Sequence, residues 1–357
     1  MRNLVLAAAA FVLPLAPLGA APGAPPVRST TVDPLDAPAV PTRLATSTQL
    51  SGIGLAGKRM VAVGIRGLVI TSDDDGATWV QRPAPVSSDL LAVHFPTPAH
   101  GWVVGHDGVV LHSADGGASW TKQLDGRQTA AMLKAHFGKL AAGGDATAGR
   151  LLEETKLSYE SGPEQALLDV WFEDARRGFV VGSFGTLLGT TDGGKTWQSW
   201  VEKVDSEEAL HLNAIRAVGG QLYVASERGI VFRLDRARER FIATNTGYTG
   251  SFFTLAAAGD AVLAGGLRGT LYRSGDAGAS WQKVESGQAA SVTGAAVTSG
   301  RRVVLVGQNG SLLLSENGGA SFAVRRVPRP AVLSGVVERA GRVVVVGFNG
   351  VQQVPLK

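Results

Sequence analysis

One short pattern returns seven times along the 357-residue chain: an apolar pair runs into a glycine, two variable residues and a second glycine. Successive copies are about 40 residues apart, except for one step of 77. The first glycine, or the serine in its place, is Gly64, Gly105, Gly182, Ser226, Gly266, Gly307 and Gly347. A period of about 40 residues built from short strands is typical of a β-propeller with one four-stranded blade per repeat. The sequence therefore predicts an all-β, seven-bladed β-propeller.

The long step is one repeat plus an insertion, which we place at residues 126–162, between the second and third blades. Residues on both sides of Gly143-Gly144 keep helical spacing: Ala130, Leu133, Lys134 and Phe137, and then Leu151, Leu152 and Thr155. This spacing predicts a helical hairpin broken at the glycine pair. The alternative is an eighth, degenerate blade, because Ala142-Gly143-Gly144 weakly resembles the repeat.

The N-terminus has the three parts of a signal peptide over residues 1–21: a basic start, an apolar core and small residues at the end. Residues 22–34 are a Pro/Ala-rich lead-in, and residues 35–357 are assigned to the propeller. The alternative is an uncleaved membrane anchor, although the apolar core is shorter than the about 20 residues that a spanning helix needs. With no cysteine for disulfides or acylation, we expect an exported, periplasmic protein that is a monomer.

The turn after the third strand of a blade carries a second motif, S/T-x-D-x-G-x-T/S-W. Its aspartate can accept backbone N–H bonds across the turn, its glycine allows an unusual backbone conformation, and its tryptophan buries a large ring. The four full copies are Asp74, Gly76 and Trp79; Asp115, Gly117 and Trp120; Asp192, Gly194 and Trp197; and Asp276, Gly278 and Trp281. A weaker copy spans 315–322, and the fourth blade has lost the motif.

These turns resemble the Asp-box of bacterial neuraminidase (BNR) repeats. Combined with the glycine-bracketed pattern, they resemble the photosystem II assembly/stability factor family. The resemblance implies a seven-bladed propeller exported to the lumenal or periplasmic side, with a non-enzymatic role in the assembly or stability of a membrane protein complex. It covers essentially the whole mature chain and departs from the family pattern at the fourth blade, the seventh blade and the insertion.

The last repeat has residues for only three strands before the chain ends. A missing fourth strand would leave an open sheet edge, which proteins usually cover. We therefore expect the segment around residues 35–47 to supply an N-terminal strand that closes the last blade.

Carboxylate catalysis is not favoured by the sequence, because the four Asp-box aspartates recur with the repeat, whereas a catalytic pair occurs once and converges on a pocket. A metal site is not favoured either. His94, His100, His106 and His112 belong to one blade, but His106 lies on the turn at the opposite face from the others. We expect no cofactor and no metal. A sialidase-like site would need an arginine triad near a tyrosine, and no such pattern surrounds the four tyrosines.

The tips of the seven glycine-bracketed turns form the strongest candidate for a partner-binding surface, because arginines and aromatic side chains are favoured anchors at protein interfaces. The candidate residues are Arg66, His106, Asp107, Phe184, Arg228, Arg268, Asn309, Phe348 and Asn349. The alternative is that these tips are merely solvated. The net charge of +4 is too small to indicate nucleic-acid binding.

The prediction is thus an adaptor that binds an extracytoplasmic segment of a membrane protein, with peripheral membrane association. The alternative function is a carbohydrate-active enzyme or glycan-binding propeller on the same scaffold.

Overall fold

The computed structural model describes residues 32–296, 301–339 and 341–355. The predicted signal peptide and most of the lead-in lie outside these ranges. The unit that begins at Asp33 consists of seven antiparallel sheets that follow one another in chain order. Along the part of the chain that the structure describes, no helix is both long and apolar enough to span a membrane.

Each sheet is one blade, whose strands pair in chain order. The first three blades are β1 (Leu50–Ala56), β2 (Arg59–Gly64), β3 (Val69–Ser72) and β4 (Val80–Arg82); β5 (Leu90–His94), β6 (Gly101–Gly105), β7 (Val110–Ser113) and β8 (Thr121–Leu124); and β9 (Leu167–Phe172), β10 (Gly178–Gly182), β11 (Leu187–Thr190) and β12 (Gln198–Ser199). The fourth and fifth are β13 (Leu212–Val218), β14 (Gln221–Ser226), β15 (Ile230–Asp235) and β16 (Arg240–Asn245), then β17 (Phe252–Ala258), β18 (Ala261–Gly266), β19 (Leu271–Ser274) and β20 (Gln282–Val284). The sixth and seventh are β21 (Val292–Ala295), β22 (Val303–Gly307), β23 (Ser311–Ser315) and β24 (Ala323–Arg326), then β25 (Leu333–Arg339), β26 (Arg342–Gly347) and β27 (Gly350–Pro355).

The blades close into a ring around a tunnel. The first strands of successive blades pack side by side, and β25 of the seventh blade packs back against β1 of the first. A cavity of about 360 Å³ at the centre is lined by residues from the first strand of all seven blades. The predicted seven-bladed propeller is confirmed.

The core lies between adjacent blades, because the second and third strands of a blade are buried on both faces. The second strands accordingly read as runs of valine, leucine and glycine instead of alternating. Between the second and third blades, the ring of Trp102 stacks on Phe172 at 3.5 Å between centroids. Each of the fully buried large apolar side chains contributes about 1.5–3 kcal/mol by its removal from water.

The predicted fourth strand of the last blade is not found. Among the described residues the seventh blade has three strands, and the segment at residues 33–48 forms turns and loop. Three prolines, Pro34, Pro38 and Pro41, remove backbone donors that a strand would need. The segment does reach the last blade, because the N–H of Val351 donates to the carbonyl of Thr46 at 3.0 Å. The contact was predicted correctly and the strand was wrong.

The rest of this N-terminal segment packs against the first two blades and the start of the insertion. The backbone N–H of Ala39 donates to the carbonyl of Ala84 at 3.0 Å, and the side chain of Leu35 is fully buried against the first two blades. Asp36 forms an ion pair with Arg127 at 2.9 Å. The segment therefore links the first two blades and the start of the insertion to the last blade.

The insertion is a helical hairpin, as predicted, and the alternative of an eighth blade is excluded. It consists of α1 (Gly126–Ala142) and α2 (Ala146–Ser158), with a turn at the glycine pair. Asp125 and Gln128 form a capping box at the start of α1, in which side chains satisfy otherwise unpaired backbone donors. Leu133 and Phe137 of α1 pack into the core between the second and third blades.

Candidate protein-binding face

The seven turns between the second and third strands of the blades lie at one face of the ring, which we call the turn-tip face. In six blades the first residue of the tip donates its backbone N–H to the carbonyl just before the first strand of the same blade. The pairs are Ile65 to Gln49, His106 to Asp89, Ser183 to Ala166, Leu267 to Ser251, Gln308 to Ser291 and Phe348 to Val332, at 2.9–3.3 Å. Each tip is thus fixed to the inner edge of its own blade.

This bond explains the first glycine of the repeated pattern. A Cβ at Gly182 would lie 2.2 Å from the carbonyl oxygen of Ala166, and the corresponding glycines in four other blades are equally crowded. The fourth blade has Ser226 instead and keeps the tip in place differently, because the carboxylate of Glu227 accepts the backbone N–H of His211 at 2.9 Å. The first glycine therefore serves close packing of the backbone.

The second tip residue is held in a left-handed backbone conformation in five blades. The φ angles lie between 52° and 58° at Arg66, Asp107, Phe184, Arg228 and Arg268. Residues other than glycine reach this region at a cost of about 1–3 kcal/mol. Each of these side chains is therefore presented by a rigid, strained turn. Asp75, Glu239 and Ala277, in turns at the opposite face, have a similar conformation, so the strain alone does not mark the turn-tip face.

The turn-tip face combines exposed apolar groups with free cations. The exposed fractions are 64% for Phe348, 55% for Phe184 and 38% for Leu267. The guanidinium groups of Arg66 and Arg268 are exposed and make no hydrogen bond or ion pair with any described residue. Such a mixture is typical of protein interfaces, where aromatic and arginine side chains are enriched.

The other predicted residues differ in their availability. Arg228 is paired with Glu208 at 2.6 Å, Asp107 accepts a hydrogen bond from Ser88 Oγ at 2.6 Å, and the side chain of Asn309 accepts from the hydroxyl of Ser311 at 2.6 Å. His106 and Asn349 are exposed at their tips. The structure therefore leaves Arg66, Arg268, Phe184 and Phe348 as the most available anchors, which the sequence pattern alone did not separate from the rest.

The Asp-box aspartates are satisfied inside their own turns. Asp192 accepts hydrogen bonds from Thr190 Oγ1 at 2.9 Å and from the backbone N and Oγ1 of Thr196 at 2.9 and 2.7 Å. These bonds from Thr196 and Thr190 lower the pKa of Asp192 to about 2. The same arrangement recurs at Asp74, Asp115 and Asp276. A carboxylate whose oxygens are all engaged, and whose pKa is low, is a poor general acid or base.

Each Asp-box also bonds to the preceding blade. A side chain of that blade donates to the carbonyl of the residue before the motif's glycine. The pairs are Arg59 to Gly116, Gln123 to Gly193, Arg233 to Ala277, Arg273 to Gly318 and Gln353 to Asp75. The last pair joins the seventh blade to the first, where Arg339 also forms an ion pair with Asp75. The motif is therefore a connection between blades, and its position at the face opposite the turn tips separates it from the candidate site.

The histidines of the second blade do not converge. Nδ1 of His100 lies 3.2 Å from Nε2 of His112, whereas Nδ1 of His94 accepts the backbone N–H of Phe172 at 3.1 Å. His106 lies beyond the other end of β6. Over the described ranges, no group of three or more His, Cys, Asp or Glu side chains is placed to hold a metal ion.

The tunnel contains one ion pair that sequence reasoning missed. The buried carboxylate of Asp169, on β9, pairs with Arg216 on β13 and accepts the backbone N–H of Ile215 at 2.8 Å. Burial raises the pKa of Asp169, while the guanidinium of Arg216 and the backbone donors lower it. The bonds of this carboxylate therefore connect the third blade to the fourth. An acidic residue 47 residues away from an arginine, in the preceding blade, gave no usable signal in the sequence.

The closed ring and its hydrogen-bonded turns define this protein as a seven-bladed β-propeller of the Asp-box type. The family model described as "Photosynthesis system II assembly factor YCF48" matches residues 46–130 and 153–282. The chain belongs to this family, which confirms the resemblance drawn from the turn motifs. The gap in the match falls on the helical hairpin.

Curated relatives are similar over part of their length. The chain is 29% identical over 181 residues to "Photosystem II assembly protein Ycf48" of Synechococcus sp. (strain JA-2-3B'a(2-13)), across 45% of this chain and 51% of the relative. It is 26% identical over 243 residues to "Photosystem II assembly lipoprotein Ycf48" of Synechococcus sp. (strain CC9902), across 62% of this chain and 70% of the relative. The chain thus spans about half the length of the first of these relatives.

Solved structures share the fold. The structure of "YCF48 bound to D1 peptide" has a TM-score of 0.63 at 17% identity, covering 90% of this chain and 99% of that one. The virginiamycin B lyase from Staphylococcus aureus has a TM-score of 0.66 at 9% identity, covering 87% and 96%. At these identities the likeness shows the fold alone. Because a lyase shares it, the function of this chain has to be argued from its own faces.

Proposed function

We propose that the protein is a non-enzymatic assembly or stability factor that binds a segment of a partner protein on its turn-tip face. The observation that carries the proposal is the ring of fixed tips, on which Phe184 and Phe348 are exposed and Arg66 and Arg268 have no partner among the described residues. Membership of the YCF48 family supports the same role.

The partner is a segment of a membrane protein on the extracytoplasmic side. One structural neighbour is YCF48 bound to a D1 peptide, which makes a peptide segment the natural class of partner. Free guanidinium groups bind carboxylates in a bidentate manner, and the exposed aromatic tips bury apolar side chains. The segment therefore carries acidic and apolar side chains.

The protein acts in the periplasm as an exported monomer with peripheral membrane association. Residues 1–21 have the pattern of a signal peptide, and one relative is described as a lipoprotein. The sequence of this chain has no cysteine, so lipid attachment through a cysteine is not available to it. Binding to its membrane partner would then supply its association with the membrane.

An enzymatic role has less support. The four Asp-box carboxylates are bonded within their own turns, and the carboxylate of Asp169 is paired in the tunnel. Among the four described tyrosines, Tyr223 is buried and Tyr248 packs against Tyr272. Tyr159 lines a cavity with one arginine, Arg150, instead of the arginine triad of a sialidase-like site. No feature of the described chain favours the glycan-binding alternative over protein binding.

The test is affinity recovery from detergent-solubilised membranes of the host, with the mature protein as bait. The test variant is Arg66→Gly/Arg268→Gly, because glycine accepts the left-handed conformation of both tips without strain. The matched control is Arg176→Ala/Arg177→Ala, which removes two exposed charges in the turn before β10, at the opposite face.

Interface anchors commonly contribute about 2 kcal/mol or more each. We therefore expect the tip variant to recover at least about tenfold less of a membrane protein than the wild type, and the control to recover an equal amount. Equal recovery by the tip variant at equal thermal stability would refute the proposed face. Recovery of no membrane protein by the wild type would refute the proposed function.

A further inference from the structure

A second surface feature lies where the helical hairpin meets the third and fourth blades. A cavity of about 380 Å³ is bounded by α1 and α2 on one side, by the turn tip of the third blade, and by the linker at residues 204–212. Its size is at the small end of the range for ligand pockets. The cavity is the product of the insertion, because no other blade in the described ranges carries a hairpin against its linker.

The cavity is apolar at its base and partly polar at its walls. Leu133, Phe137 and Leu210 are buried at its base. The hydroxyls of Tyr159 and Thr186 line the walls and make no hydrogen bond with any described residue. Burial raises the pKa of Tyr159 to about 12, so this hydroxyl keeps its proton and can donate a hydrogen bond. An apolar base with a few unpaired polar groups is the usual composition of a binding pocket.

The rim carries an uncompensated negative charge. Glu154 is paired with Arg150 at 2.6 Å, and Glu208 with Arg228 at 2.6 Å. Glu207 is exposed at the same rim and has no partner among the described residues. A cation next to an apolar group would therefore complement this rim, whereas an acidic group would be repelled.

The rim also has an exposed apolar residue. Leu157 of α2 lines the cavity and is 70% exposed. Phe184, which lines the cavity as well, is one of the exposed tips of the turn-tip face. A polypeptide that lies over Phe184 on the turn-tip face can thus place a side chain in the cavity without leaving the protein surface.

We propose that this cavity is a docking pocket for one bulky apolar side chain of a partner polypeptide, flanked in that polypeptide by a lysine or arginine that pairs with Glu207. The partner class rests on the proposed function; the pocket rests on the hairpin, the turn tip of the third blade and the linker at residues 204–212, and its unpaired charge rests on Glu207 of that linker. The partner segment then has two chemically different parts, an acidic part bound near Arg66 and Arg268 and a basic and apolar part bound at the hairpin.

The test is selection of a displayed library of random peptides, each about 12 residues long, on the immobilised mature protein; a segment of this length spans about 40 Å when extended. The pocket is closed in the variant Ala209→Trp, because Ala209 is exposed and lines the cavity. The matched control is Ala237→Trp, which adds the same ring at an exposed alanine on the opposite face. Equal melting temperatures establish that both variants are folded.

We expect peptides enriched on the wild type and on Ala237→Trp to share a large apolar residue next to a lysine or arginine, and Ala209→Trp to bind them at least about tenfold more weakly. Glu207→Lys should weaken the same synthetic peptides by about two- to fivefold, and Glu285→Lys, at an exposed acid of the fifth blade, should not.

Four outcomes would overturn the proposal. Enriched peptides that Ala209→Trp still binds would place their site elsewhere. Enriched peptides without a basic residue would assign the pocket to a neutral apolar ligand, and no enrichment would remove the peptide as its occupant. A wild-type dimer in sedimentation that Ala209→Trp dissociates would make a second copy of the chain the occupant.

The selection is repeated on Arg66→Gly/Arg268→Gly, so that failure of the pocket and failure of the turn-tip face give different results. Pocket peptides should bind this variant with unchanged affinity, because neither arginine lines the cavity. If the pocket peptides bind as expected and the membrane partner is recovered equally by this variant, only the proposed arginine contacts have failed.

Discussion

Replacing the aspartate of one Asp-box tests whether its carboxylate stabilises the fold. Asp192→Ala deletes three hydrogen bonds, from Thr190 Oγ1 and from the backbone and hydroxyl of Thr196. Each contributes about 0.5–1 kcal/mol at a half-exposed site, so the free energy of unfolding should fall by about 2 kcal/mol. For a chain of this length, that corresponds to a melting temperature about 3 °C lower.

The control is Asp192→Asn, because the sixth blade already uses an asparagine at this position. Asn317 accepts the backbone N–H of Ser321 at 3.1 Å and donates to its hydroxyl at 2.9 Å. We therefore expect Asp192→Asn to lose less than half as much stability as Asp192→Ala in urea unfolding. Equal losses in both variants, or no loss in either, would show that the hydrogen bonds of Asp192 do not stabilise the fold.

Acid titration checks the same bonds. The native pKa of Asp192 is lowered to about 2, below its value of about 3.9 in an unfolded chain. The stabilisation is therefore fully present above about pH 4 and is lost as the pH falls towards 2. Asp192→Asn should lack this part of the acid-induced loss, measured against the wild type by urea unfolding at about pH 5 and about pH 3.

Two further predictions concern the blade contacts. Burial lowers the pKa of His94 to about 3, below its unfolded value of about 6.5, so the stability of the fold should fall as the pH drops below about 6.5. The free energy of unfolding in urea should be about 2 kcal/mol lower at about pH 5 than at about pH 7. His94→Gln should remove most of this difference. Gly182→Ala should lower the free energy of unfolding by about 1–3 kcal/mol, because the added Cβ would lie 2.2 Å from the carbonyl oxygen of Ala166. Ser226→Ala in the fourth blade, where this contact is absent, should change the urea midpoint much less. Equal losses in the two variants would contradict the explanation of the first glycine.

The sequence predicts the ring because its turn motifs repeat about once per blade. Seven glycine-bracketed turns determine the number of blades, and the helical spacing of Leu133 and Phe137 predicts the hairpin, whose caps at Asp125 and Asp145 are local. Local patterns do not determine where a proline-containing loop segment finds its partners. The strand predicted near residues 35–47 was wrong for this reason, since Pro34, Pro38 and Pro41 remove donors and the N–H of Ala39 bonds to the first blade instead.

The candidate site can be predicted only in part from the sequence. The pattern places nine residues on the tips, but the pairing of Arg228 with Glu208 depends on a linker 20 residues away. The link of each Asp-box to the preceding blade, as in Gln123 with Gly193, crosses 70 residues. Neither the tunnel pair of Asp169 and Arg216 nor the pocket beside the hairpin has a local signature, because both arise where distant segments meet.

We propose that the turn-tip face binds a membrane protein outside the cytoplasm. The most direct measurement places a photo-crosslinking amino acid at position 348, at position 184 or, as a control, at position 237 on the opposite face, in the protein produced by its own host. We expect irradiation to join the protein to one membrane protein from positions 348 and 184 and to none from position 237. Crosslinks to a membrane protein from 237 alone, or equally from all three positions, would contradict it.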